Sequence, residues 1–404
     1  MVITSPPPEG PLAGVRVVDL TRFVSGAFST MILAALGADV VKVEGLPDGD
    51  PYRAQGTSFV DGRSSLFLGL NIGKRSVAVD LRSVDGRGVV ERLLASSDVL
   101  VENGRPGALR SVGLDYESVH RRYPRLVYGS ISAYGQSGPQ AGAGGFDLTM
   151  QAESGIMSVT GTQESGPVKV GAPLLDVGAG VACAAAVLAT LLRCERTGAG
   201  GHATASLLEF AVAGFVGAAT TYFENGEVPG LLGSHSPTFA PYGAFQCSDD
   251  HLVLAASGAE QLWGILCQVL GVPDLATDAR FATNADRVRN RDALTGALEA
   301  VLGQDTAAAW RERLVAAGIP VAAVRTLADV LASDQVRALG LVRSGQVGTD
   351  TYRTVAPPLG VDGPLPFPRG APDLGEHTRE LLVSLGMVDA QVDDLQRTGV
   401  VLAP

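Results

Sequence analysis

A chain of 404 residues, 46% hydrophobic and only 18% charged, has room for two or three domains around a sizeable core. Its net charge of -11, with no run of five like charges, excludes a basic nucleic-acid surface. Cys183, Cys194, Cys247 and Cys267 lack metal-ligand spacing and read as buried thiols of a reducing compartment. Met1–Pro8 carries neither the basic start nor the apolar stretch of a signal peptide. The most apolar segment, Val177–Leu192, falls short of the ~20 residues of a membrane span. These features predict a cytoplasmic protein with neither nucleic acid nor membrane as a partner.

The first 130 residues alternate strand and helix patterns. Val15–Leu20 is a short apolar strand, Phe28–Leu36 a helix with a broad apolar face, and Asp39–Glu44 a second strand after the helix stop at Gly37. Ser76–Leu81, Gly86–Leu94 and Asp98–Asn103 repeat the pattern, and Leu126–Ser132 closes it. Strands separated by single helices predict a parallel sheet whose ligands lie in the turns after the strands: residues 21–27, 45–53 and 103–108. Two long apolar helices, Gly178–Arg193 and Ser206–Tyr222, follow. Asn225–Pro241 reads as a linker. A smaller α+β unit comes next, with a strand at Leu252–Ala256 and helices at Glu260–Leu270, Arg291–Leu302 and Thr306–Ala317. Residues 340–372 are rich in Pro and Gly, and Glu376–Leu385 returns to helix. The division expected is 1–225 for a large domain, 226–330 for a small one with its linker, and 331–404 for a return linker and the C-terminal part of the large domain.

Asp176 is the most informative residue. No basic side chain lies between Lys169 and Arg193, so this carboxylate either caps the apolar helix after it or takes part in chemistry. No Gly-x-Ser-x-Gly elbow, P-loop or His pair with metal spacing is present. The glycine-rich Gly142–Gly145 reads as a flexible turn, and the five histidines are scattered.

A series of short segments runs in order along nearly the whole chain: Pro11–Leu20, Leu36–Glu44, Gly49–Arg53, Leu70–Ser76, Val101–Gly107, Tyr134–Pro139, Gly145–Leu148, then Asp176, and Ala371–Thr378. Together they resemble the class III CoA-transferases, the family of formyl-CoA and carnitine-CoA transferases that also includes alpha-methylacyl-CoA racemase. The resemblance implies a Rossmann-like large domain, a smaller α+β domain, and an interlocked homodimer. It places Asp176 at the family's catalytic aspartate, some thirty residues after the Gly-Phe/Tyr-Asp tag. Such a carboxylate attacks an acyl-CoA thioester, and small residues after it admit substrate while backbone N–H groups there hold a developing oxyanion.

The racemases of the family place a histidine where this chain has Phe146, and a phenyl ring cannot exchange a proton, so transfer is favoured over racemisation. By resemblance, Phe23, Val24, Ser25, Val79, Arg82, Asn103, Gly104 and Arg110 contact CoA, with Gly26 allowing close approach. Gln55, Tyr134 and Phe146 are candidates for the lining of the acid pocket, and Asp147 either orients the site or the acceptor or is an ordinary helix-start aspartate. No resident cofactor is implied; coenzyme A enters as the thioester substrate, and a free carboxylic acid is its partner. A racemase or isomerase, and a non-catalytic subunit of a heteromer, are the other classes open.

Overall fold

A computed structural model describes residues 10–256, 260–363, 365 and 370–404. Two compact units are present. The first comprises the described residues of Met1–Ser154, Gly171–Val216 and Asp334–Pro404, and the second those of Gly155–Val170 and Gly217–Ser333. The sequence reading of Met1–Pro8, and of positions 364 and 366–369, lies outside the described residues.

The first unit is built on a seven-stranded sheet. Its strands are β1 (Arg16–Asp19), β2 (Asp39–Glu44), β3 (Arg75–Val79), β4 (Val99–Glu102), β5 (Val127–Ser132), β6 (Gly201–Ser206) and β7 (Val401–Leu402). Their order is β6–β5–β4–β1–β2–β3–β7, parallel throughout except for β7. The chain winds outward from β1 through β2 to β3, then returns to β4 on the other side of β1. That reversal makes the carboxyl ends of β1 and β4 a topological switch point, where such sheets open a crevice for ligands. The strands read as near-continuous apolar runs because both faces are covered: Val17, Val18, Val41, Leu100, Val101 and Val127 are fully buried.

The helices that concern the site are α1 (Ser25–Ala35), α2 (Val84–Ala95), α3 (Tyr116–Arg122), α4 (Asp147–Glu153), α5 (Leu174–Thr197) and α6 (Leu207–Gly214). Several boundaries differ from expectation. β5 does not close the sheet: β6 pairs beside it, and β7 adds an antiparallel edge next to β3. The small and polar residues of Gly201–Ser206 give little local strand signal. The helix expected over Ser206–Tyr222 breaks at Phe215 into α6 and Val216–Asn225. Within the Pro/Gly-rich 340–372 stretch, Val342–Val347 and Asp350–Val355 pair as a hairpin.

α5 is longer than the apolar segment suggested, 24 residues from Leu174 to Thr197, so by length and composition it could cross a bilayer. One face of it, including Leu175, Ala179, Cys183 and Val187, is buried. Val181 and Leu192 on its other face are 40% and 53% exposed.

The second unit has an antiparallel sheet of Tyr242–Gln246, His251–Ala255 and Val321–Ala323. Helices Glu260–Val269, Arg291–Leu302 and Ala307–Ala316 cover a core of Phe245, Trp263, Leu298 and Trp310. All four cysteines of the chain are free and buried.

Candidate active site

The turn after β1 is fixed from below by buried charge. Asp19 accepts from the Thr21 amide at 2.8 Å and from the Lys74 ammonium at 2.9 Å. Lys42, fully buried, donates to the Thr21 carbonyl at 2.8 Å and pairs with Asp50 at 2.9 Å. From β4, the Asn103 amide closes the other side. Its Oδ1 accepts from the Arg22 amide at 2.9 Å, and its Nδ2 donates to the Arg22 carbonyl at 2.6 Å and to Ser25 Oγ at 3.4 Å. Gly26 permits this closure: a Cβ there would stand 2.4 Å from Thr21 and 2.9 Å from Asn103. Phe23, at φ 61, is held in the left-handed region that a bulky residue adopts only when its surroundings demand it. Its ring meets Tyr52 and Phe146 edge-on at 5.4 and 5.8 Å.

Asp176 reaches this cluster from α5. A Cβ on Gly180 would lie 2.6 Å from the Ser25 carbonyl oxygen, so the glycine lets α5 close directly on the start of α1. The Ser25 hydroxyl lies close enough to the Asp176 carboxylate to favour its ionised form. Among the described residues no Lys, Arg or His forms an ion pair with Asp176. Burial and the neighbouring Asp147 push its carboxyl up to about 7, with the Ser25 hydroxyl opposing them. The Tyr52 phenol is raised in turn by burial and by Asp176.

Asp176 is not the helix cap. It stands third in α5, and the cap position, Pro173, supplies no side-chain bond. The cap comes from Asp147, 29 residues earlier, whose Oδ1 accepts from the amides of Leu175 at 2.8 Å and Asp176 at 3.2 Å. The amide of Val177 is bonded to the Pro173 carbonyl at 3.0 Å. The backbone donors expected just around Asp176 are therefore spent within the protein, which corrects their assignment to an oxyanion.

Phe23, Val24, Ser25, Asn103 and Gly104 thus meet where β1 and β4 end, and Phe146, Asp147 and Asp176 join them. The other expected residues do not. Val79 is fully buried in the core between β2 and β7, which leaves it no surface for a ligand. Arg82 is exposed beyond β3 and paired with Asp80 at 2.9 Å. Arg110 lines a cavity of about 300 Å³ together with Glu102, Arg105, Ser130 and His202; Asp176 is not in its walls. Burial pushes the Glu102 carboxyl there up to about 7, although it accepts from the Gly104 amide at 2.7 Å. Gln55 is exposed, its carbonyl taken by the Ser64 hydroxyl, and Tyr134 is half-buried. Neither joins the hydrogen bonds and ring contacts around Asp176. Sequence reasoning missed Tyr52 and Gln151; Tyr52 lies in a turn already singled out, whereas nothing local marks Gln151.

A mostly parallel doubly wound sheet thus carries at its switch point a buried carboxylate with no cation partner among the described residues. The pattern of CoA-transferase family III matches residues 12–378. The chain is 35% identical over 400 residues to succinyl-CoA:glutarate CoA-transferase of Mus musculus, covering 97% of this chain and 90% of the relative. It is 37% identical over 342 residues to acetyl-CoA:oxalate CoA-transferase of Acetobacter aceti, covering 84% and 87%. The crystal structure of a CAIB/BAIF family protein from Brucella suis superposes with a TM-score of 0.82 at 36% identity, over 93% of this chain and 99% of that one. The protein belongs to CoA-transferase family III and is a CoA-transferase.

Proposed function

We propose that this enzyme moves CoA from an acyl-CoA to a free carboxylic acid through covalent intermediates on Asp176. What carries the reading is the Asp176 carboxyl itself: in the first turn of α5, beside Ser25, without a cation partner among the described residues, and pushed up to about 7. A basic, partly desolvated carboxylate is a stronger nucleophile than an exposed one.

One Asp176 oxygen attacks the thioester carbonyl, the C–S bond breaks, and CoA thiolate leaves a mixed anhydride. The thiolate attacks the aspartyl carbonyl, and the donor acid departs as a carboxylate, leaving an aspartyl-CoA thioester. The acceptor carboxylate attacks that thioester, giving a second anhydride and thiolate. Attack of the thiolate on the acceptor carbonyl yields the new acyl-CoA and restores Asp176. No step needs a metal, a redox group or a resident cofactor. The amides of Ser25 and Gly26, which have no intrahelical acceptor at the start of α1, suit the oxyanion of each tetrahedral stage. Phe23, Val24, Ser25, Asn103 and Gly104 would line the thioester arm, and Phe146 and Tyr52 the acid.

Substrates of the kind named for the relatives, succinyl-CoA with a small dicarboxylate, are the first to test. The exposed Val181 and Leu192 of α5 and Val212 of α6 suit a second copy of the chain, and we read the enzyme as a homodimer. The buried free cysteines suit a cytoplasmic setting. The test is mass spectrometry of the chain alone with succinyl-CoA or acetyl-CoA and a panel of mono- and dicarboxylates. A new acyl-CoA is expected for at least one acid. A 2-methylacyl-CoA in deuterated water should gain no deuterium at its alpha carbon, because Phe146 occupies the position of the second base. Deuterium uptake at enzyme-like rates, with no exchange of acids, would replace transfer by racemisation.

A further inference from the structure

Asp147 and Gln151 stand one turn apart on α4. Gln151 is completely buried, and its Nε2 donates to Asp147 Oδ2 at 2.5 Å. Asp147 Oδ1 holds the amides of Leu175 and Asp176 at 2.8 and 3.2 Å. Both carboxylate oxygens are therefore engaged inside the protein, one on α4 and one on the start of α5. The cap of α5 is thus non-local, supplied by a neighbouring helix where Pro173 offers nothing.

Two consequences reach Asp176. Its own backbone amide is pinned, which fixes the direction in which the side chain leaves the helix. The positive end of α5, which would otherwise favour the ionised Asp176, faces the negative Asp147 instead. We propose that Asp147, held by Gln151, is a positioning residue that locks the first turn of α5 and with it the Asp176 carboxylate in the reactive orientation, rather than a contact to the acceptor acid. This rests on Asp176 being the nucleophile. The groups that act on Asp176 are Asp147 from α4, Tyr52 from the turn Pro51–Arg53 and Ser25 from α1.

The experiment compares Asp147→Asn, Asp147→Ala and Gln151→Met. Asparagine keeps an oxygen for the two amides but removes the charge. Its kcat at pH 8 should stay within about fivefold of the parent, and the acid limb of kcat/KM should move to lower pH, because a negative neighbour that raises Asp176 is gone. Alanine removes the cap and should cost about thirtyfold or more in kcat with the donor KM changed less than about threefold; Gln151→Met should cost about tenfold. The carboxyl ¹³C titration of Asp176, assigned by its loss in Asp176→Asn, should shift downward in Asp147→Asn. An unmoved Asp176 titration in Asp147→Asn, or a raised acceptor KM with kcat intact, overturns the proposal. Asp147→Asn keeps the test decisive if Asp147→Ala does not fold. Should the titration shift while Asp176→Asn retains parental exchange, the Asp147–Asp176 coupling stands but the nucleophile assignment, and with it the positioning role, falls.

Discussion

Asp176→Ala is expected to reduce CoA exchange by more than about a hundredfold while CoA binding and the fold persist. The change removes the carboxylate proposed to form the anhydride, yet the groups that tie the β1 and β4 turns together, Asn103, Lys42 and Asp19, are untouched. The amides of Leu175 and residue 176 would remain capped by Asp147. At pH 8 stability should rise. The Asp176 carboxyl is raised from 3.8 to about 7, so the stability that its protonated form contributes is complete below about 3.8 and lost as pH climbs through about 7. Above that pH the parent carries a partly buried charge that the alanine variant lacks, so the variant should melt higher at pH 8 than the parent. In the parent, exchange should rise with pH through about 7 as the carboxylate forms. Retention of more than about a hundredth of parental exchange in Asp176→Ala would remove the residue from the chemistry.

Gly180→Val is the second large effect expected, although residue 180 touches no substrate in this account. Its Cβ would sit 2.6 Å from the Ser25 backbone oxygen, an atom that cannot yield unless α1 moves. Separating α5 from α1 overpacks a buried contact, at a cost of about 1–3 kcal/mol. It also withdraws Asp176 from the Ser25 hydroxyl and from the α1 amides. A displacement of about 1 Å at a reacting group can cost about a hundredfold in rate, and a loss of that size in kcat is expected, together with a lower melting temperature. Gly171→Ala is the control: nothing stands within 4 Å of its Cβ, so exchange and melting should be unchanged. Parental kcat in a folded Gly180→Val variant would show that the α1–α5 contact does not position the nucleophile.

The alternation of strands and helices up to Ser132 was readable because each central strand is a short apolar run bounded by turn residues. The turns it singled out after β1 and β4 lie together at the switch point of the sheet. What escaped was non-local. β6 has the sequence Gly-His-Ala-Thr-Ala-Ser, with little strand propensity, and exists because β5 offers it a parallel partner. The Val342–Val347 and Asp350–Val355 hairpin was hidden by the Pro and Gly around it. The start of α5 was misplaced by four residues for a related reason. Leu174, Leu175 and Asp176 enter the helix because Asp147, far off in sequence, satisfies two of their amides. Read by itself, Asp176 resembles a cap, and only resemblance to a family pointed to chemistry. The structure places a different aspartate, Asp147, in the capping role. Side chains such as Val79, Arg82 and Arg110 could be matched to a pattern by position, but burial and ion pairing, which decide what they touch, are not written in local sequence.

The most direct test is to trap the covalent enzyme. The protein is mixed with donor acyl-CoA and no acceptor, quenched with hydroxylamine or borohydride, digested, and the peptide containing Gly171–Gly180 is weighed. The account predicts a hydroxamate or a reduced alcohol on Asp176, each with its own mass change, formed without acceptor and absent from Asp176→Asn. An enzyme that exchanges CoA in the same preparation, yet yields an unmodified Asp176 peptide under both quenches, would contradict it.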